Sequence, residues 1–94
     1  MAASEGAQFS DISATTAAFT FLGGIFAILA SATWGGGTVK LQALGPDGST
    51  YIDVPDASFT ADGFFSPLYL PPGTYRINVA TAIAVYVVVV SIPD

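Results

Sequence analysis

The chain has no cysteine and no histidine. Without them there is no disulfide, no thiolate or imidazole metal ligand, no cysteine or histidine nucleophile, and no serine–histidine–aspartate arrangement. Cations are almost missing too: Lys40 and Arg76 stand against seven acids, for a formal net charge of −5. Phosphate neutralisation needs clustered lysine and arginine, so nucleic acid is not an expected partner. Charged residues make up 10% of the chain and hydrophobic ones 52%, the opposite of a disordered composition. So little charge is also unusual for an exterior that must be wetted everywhere. Two explanations compete: insertion in a membrane, or a surface covered by partner subunits.

Ninety-four residues make one domain, with an expected radius of gyration of roughly 12 Å. A β domain of this size without staples finds extra stability in oligomerisation.

Among the residues that are present, Ile83–Ile92 dominates, a run of ten without charge in which seven are valine or isoleucine. β-branched side chains suit a pleated surface better than a helix, so the run is expected to be a strand. Alternation puts Val85, Val87 and Val89 on one face, and Ala84, Tyr86, Val88, Val90 and Ile92 on the other. Both faces are apolar. One suits the domain's own core; the other calls for a second subunit.

No charged residue falls between Ile12 and Val39, a length that raises the possibility of a membrane helix over residues 12–32. Thr15, Thr16, Thr20, Ser31 and Thr33 interrupt this run, Gly23-Gly24 sits at its centre, and no basic residue flanks it closely. Two strands, Ala17–Leu22 and Ile25–Thr33, joined by a hairpin at the glycine pair, describe it better. Ile25–Thr33 again has two apolar faces: Phe26, Ile28, Ala30 and Ala32 on one, Ile25, Ala27, Leu29 and Ser31 opposite.

Trp34-Gly35-Gly36-Gly37 lacks the Gly-Lys-Ser/Thr ending of a phosphate loop and is expected to be a connection. Thr38–Leu44 alternates, with Val39, Leu41 and Ala43 inward. Pro46 then sets the second position of a type I turn at Gly45–Gly48. Thr50–Val54 returns as the partner strand, with Ile52 and Val54 inward. Further strands follow at Ala57–Ala61, at Phe64–Leu70 and from Tyr75 to Val79, and Pro67 argues for a sheet edge in the second of these.

The expected fold is therefore all-β, a small antiparallel β-sandwich or barrel of about eight short strands over residues 15–94. Residues 1–14 are small, polar and aperiodic, and are expected to form an extended N-terminal arm with Phe9 and Ile12 as apolar anchors on a partner.

Asp47, Asp53, Asp56 and Asp62 lie near turns, but their spacing is not that of a calcium loop, and turn aspartates cap local backbone. No metal and no cofactor is expected. Trp34, Tyr51, Phe64, Phe65, Tyr69 and Tyr75 could line a carbohydrate or ligand patch, although core or interface packing accounts for them as well.

At "LQALGPDGSTYIDV", "LPPGTYRINV" and "TAIAVYVVVV", spread over residues 37–92, the chain resembles small all-β decoration, or cement, proteins of tailed bacteriophage capsids. The resemblance implies a non-enzymatic virion protein on the outer capsid surface, bound to the major capsid protein, and often a homotrimer. Such proteins act by surface complementarity, so it transfers no site residues. Taken with the apolar strands, it makes Phe9, Ile12, Tyr86, Val88 and Val90 the candidate subunit or capsid interface. The alternatives are a fibre or tail β-sandwich that binds a ligand or carbohydrate, and a membrane protein spanning residues 12–32.

Overall fold

Turn residues cut the chain into segments too short and too β-branched for helices. A computed structural model of the protein, which describes residues 6–92, contains eight strands and no helix among them. They are β1 (Gly6–Ile12), β2 (Phe19–Phe21), β3 (Gly24–Thr33), β4 (Thr38–Leu44), β5 (Tyr51–Phe59), β6 (Gly63–Leu70), β7 (Gly73–Ala80) and β8 (Ile83–Ser91). Two four-stranded antiparallel sheets result: sheet A in the order β1-β8-β3-β6 and sheet B in the order β2-β7-β4-β5. The first strand pairs with the last, the second with the seventh, the third with the sixth and the fourth with the fifth. This is one long antiparallel ribbon, closed at the β4–β5 turn and rolled into two stacked sheets, the topology of a jelly roll.

The tip of the ribbon forms where turn chemistry is strongest. Gly48 N donates to Gly45 O at 3.0 Å across Pro46-Asp47, and the Asp47 carboxylate accepts from Ser49 N, Thr50 N and the Thr50 hydroxyl. Leu44 then faces Tyr51, Ala43 faces Ile52, and Gln42 faces Asp53, so the hairpin expected here is present. The two strands expected beyond Thr50 are one, β5, kinked where Asp56 adopts a φ of 65°. Ile52 shares the inward face of Ala43 but stays 53% exposed, because β5 is the edge of sheet B. Pro67 also lies on an edge strand, β6, at a register shift against β3.

Three expectations need correction. The Gly23-Gly24 pair does not make a hairpin, because β2 belongs to sheet B and β3 to sheet A; the chain crosses between sheets there. Residues 12–32 are not a membrane helix, since they carry β2 and most of β3; no helix of the described residues is long and apolar enough to cross a membrane. The stretch expected to be an arm contains β1, which pairs with β8 from Gly6↔Val90 to Ile12↔Val85. Residues 1–5 of that arm lie outside the described residues.

The core lies between the sheets. Sheet A contributes Phe26, Ile28 and Ala30 from β3, Leu68 and Leu70 from β6, and Val85, Val87 and Val89 from β8. Sheet B contributes Phe21, Val39, Leu41, Tyr75 and Ile77. The Phe21 ring stacks on Phe26 at 4.6 Å and meets Tyr75 at 5.6 Å, which ties the two sheets together. Burial raises the pKa of the Tyr75 hydroxyl, which donates to the carbonyl of Pro71. The connection before β2 is fastened to β7: Thr16 N donates to Ile77 O, and Val79 N to the Thr15 hydroxyl. The Cα radius of gyration is 12.6 Å.

Candidate interaction face

Each sheet turns one face inward, and the two outer faces differ in chemistry. On sheet B, β4, β5 and β7 bring Lys40, Gln42, Asp53, Arg76 and Asn78 to the outside, where Gln42 pairs with both Asp53 and Arg76. Lys40 Nζ lies 3.1 Å from Asp53 Oδ2, Gln42 Nε2 donates to Asp53 Oδ1 at 2.8 Å, and Arg76 Nε donates to Gln42 Oε1 at 2.8 Å. The Arg76 guanidinium lies 4.0 Å above the Tyr51 ring, a cation–π contact. The hydrogen bond from Gln42, with help from Lys40, lowers the pKa of Asp53. Both cations of the chain are engaged in this one network.

The outer face of sheet A has no such groups. Among the described residues its four strands hold a single charged residue, Asp11, at the bulge of β1. Backbone register aligns the outward side chains in rows. Gln8, Val88, Leu29 and Phe64 form one row across all four strands. Gly6, Val90 and Ala27 form a second, Tyr86 and Ser31 a third, and Ile25 and Tyr69 a fourth. Tyr69 is 71% exposed, Phe64 66%, Tyr86 51% and Leu29 45%, so four large, mainly apolar side chains stand in water on one face. Four strands of about nine residues give a face of roughly 19 by 30 Å, on the order of 600 Å² in projection. The largest apolar patch of an ordinary monomer is of that size and is often functional. An open hollow of about 260 Å³, walled by Gln8, Leu29, Ser31, Tyr86 and Val88, lies in the middle of the face.

The structure separates the five candidate interface residues. Tyr86, Val88 and Val90 lie together on this outer face, with Tyr86 and Val90 exposed and Val88 half-buried between Gln8 and Leu29. Phe9 and Ile12 do not join them. Both are half-buried from the other side of β1, packed against the chain's own core, and the Phe9 ring meets Phe19 at 5.6 Å. They point inward because β1 is a strand of sheet A and its alternation assigns Ala7 and Phe9 to the core.

Leu29, Phe64 and Tyr69 join this face without belonging to the five. The two apolar faces of its strand signal Leu29; the sequence singles out Phe64 and Tyr69 as aromatics of a ligand patch or of core or interface packing, but Pro67 and the bulge hide the alternation that would assign their side of β6.

The aromatic ligand patch does not assemble. Trp34 is half-buried, with Nε1 donating to Asp62 Oδ1 at 2.7 Å, Tyr75 is buried, and Tyr51 is capped by Arg76. Three of the four turn acids have separate local roles: Asp47 holds its own turn, Asp53 holds Lys40 and Gln42, and Asp62 holds Trp34; the fourth, Asp56, marks the kink of β5. Among the described residues no group of three or more His, Cys, Asp or Glu could hold a metal ion. Among the described residues the strands of sheet A hold Asp11, Tyr69 and Tyr86 as their titratable groups, and the outer face is otherwise apolar or neutral.

No protein-family model, no curated protein and no solved structure matches this chain.

Proposed function

We propose that the protein is a non-enzymatic structural subunit of a larger assembly, in which another protein subunit covers the outer face of sheet A. On its resemblance over residues 37–92, we propose further that this assembly is a virion, with the chain decorating the outer surface of the major capsid protein. One observation carries the reading: the rows Gln8–Val88–Leu29–Phe64 and Tyr86–Ser31 form a continuous face of neutral side chains, with Asp11 at its β1 edge, while the chain's two cations are gathered on sheet B. Burying such a face gains roughly 25 cal/mol per Å² before the losses of association are subtracted. Repetition over many copies makes modest contacts collectively strong. Jelly rolls include viral capsid and lectin domains, so the topology is compatible with a virion role without selecting it. A carbohydrate-binding role finds less support, because the exposed aromatics lie on a sheet face and not around a loop-lined cleft.

The test is a sucrose gradient of lysate from cells that make the protein naturally, with the fractions probed by an antibody to the chain. It is expected to migrate with fast-sedimenting shells, and a Leu29→Asp variant to lose that migration. Migration of the wild type only as a small species, in fractions free of shells, overturns the virion role.

A further inference from the structure

The reading of sheet A as a protein-binding face leaves open what first covers it. We infer that the occupant is a second copy of this chain, stacked face to face about a two-fold axis that runs along the strands between β3 and β8. The inference rests on the function proposed above, and three observations lead to it.

The first is charge. Each copy carries a formal net charge of −5, so two copies repel least where acids are few. The strands of sheet A hold only Asp11 among the described residues, at the β1 edge opposite Tyr86, and Asp62 adjoins the β6 edge by accepting from Ala32 N, while Asp47, Asp53 and Asp56 belong to sheet B and its β4–β5 turn.

The second is area. A face of about 600 Å² on each copy gives roughly 1,200 Å² in total, the lower limit of a specific interface. Contact over part of the face falls short, and contact over all of it reaches the range. One flat face covered whole by one partner closes at two copies, whereas a three-fold ring needs two different patches on each subunit. The pair therefore differs from the trimer that the resemblance implies.

The third is shape. Across the β3–β8 ladder, each row sets a bulky residue of β8 beside its neighbour on β3: Tyr86 beside Ser31, Val88 beside Leu29, and Val90 beside Ala27. In two of the three rows the β3 residue is small, so Tyr86 and Val90 stand beside low sites at Ser31 and Ala27, with the exposed Leu29 rising between those sites. The proposed axis sets β8 of one copy over β3 of the other. Tyr86 then stands over the second copy's Ser31, Val90 over its Ala27, and Val88 over its Leu29. At two of these three contacts a large side chain meets a small one, as in interdigitating layers. The same operation sets β6 over β1, so the exposed Phe64 ring stands over Gln8 at the rim of the hollow.

Sedimentation equilibrium of the purified protein tests this, with no particle or capsid protein present. The wild type is expected to pair in the micromolar range, and Val88→Asp and Leu29→Asp to remain single with an unchanged far-UV spectrum. Ser31→Lys and Tyr86→Asp should each abolish pairing alone and restore it when mixed, because the axis brings those two positions together. Ser31→Lys mixed with Val90→Asp should not restore it, because Val90 faces Ala27. A wild type that stays monomeric, forms a trimer, or pairs undisturbed by Val88→Asp overturns the inference. Equal rescue in the two mixtures overturns the register. Failure to pair leaves the virion role standing, because the gradient judges that separately.

Discussion

Val88 and Val89 are neighbours in the chain and lie on opposite sides of sheet A. Val89 is fully buried between the sheets opposite Ala7 and Ile28, whereas Val88 stands outside between Gln8 and Leu29. The same side chain thus carries stability at one position and surface chemistry at the next. Val89→Asp buries a carboxylate with no partner and is expected to cost several kcal/mol, enough to unfold a domain of this size. Val88→Asp points its carboxylate outward and is expected to keep the fold. Melting curves followed by circular dichroism check the pair; similar melting temperatures would place both residues on one kind of surface.

The β1–β8 ladder makes the N-terminal segment part of the fold. Removing residues 1–12 would strip one edge of sheet A and uncover the core beside Phe9 and Ile12. The shortened chain is expected to lose most of its cooperative thermal transition. Phe9→Ala alone should cost about 2 kcal/mol, below the value for a fully buried phenylalanine because Phe9 is only half-buried. Urea titration measures both, and an unshifted midpoint after deletion would contradict the strand.

Gly37 is required by close approach. A Cβ at Gly37 would lie 2.3 Å from the carbonyl oxygen of Ala80 and 2.4 Å from the amide nitrogen of Ala82, both backbone atoms of the corner before β8. Backbone cannot rotate aside as a side chain can, so Gly37→Ala should cost more than about 2 kcal/mol. Gly63→Ala is the control: its nearest neighbour would be the Phe59 ring at 3.6 Å, and the change should stay within about 0.5 kcal/mol. Denaturant midpoints of the two variants separate close approach from a general cost of replacing glycine.

The Asp47 turn sets an acid-side dependence. Hydrogen bonds from the Thr50 hydroxyl and from Ser49 N and Thr50 N lower the Asp47 pKa from 3.8 to about 2. A carboxylate whose pKa is lower folded than unfolded adds stability above its unfolded pKa and loses it as pH falls through the folded value. The contribution of Asp47 is therefore present above about pH 4 and should disappear between pH 4 and pH 2. Asp47→Asn should lower stability at pH 7 and flatten the stability profile in that window. Denaturation midpoints stepped from pH 5 to pH 2 provide the measurement, and parallel profiles for the two proteins would show that Asp47 does not supply the slope.

Local chemistry was enough to mark most strands. Alternation at Val39, Leu41 and Ala43 and the Gly45-Pro46-Asp47-Gly48 turn defined the β4–β5 hairpin, and a proline without a donor placed β6 at an edge. These signals span a few residues, so they survive in the linear sequence. The paired apolar faces of β3 and β8 were also legible, and with them the requirement that one face of each be covered.

Tertiary structure decided the rest, and the reason is range. Gly23-Gly24 permits a turn but does not determine whether the next strand pairs back or crosses to the other sheet. β1 has few apolar residues of its own and gains its place only by pairing with β8, at the other end of the chain. Above all, the sequence made Val85, Val87 and Val89 as apolar as Tyr86, Val88 and Val90, so alternation could not choose the inward set. Only the closing of sheet A over sheet B chose it, by gathering the first three valines into one cluster with Leu41 and Ile77 and leaving the other three residues outside.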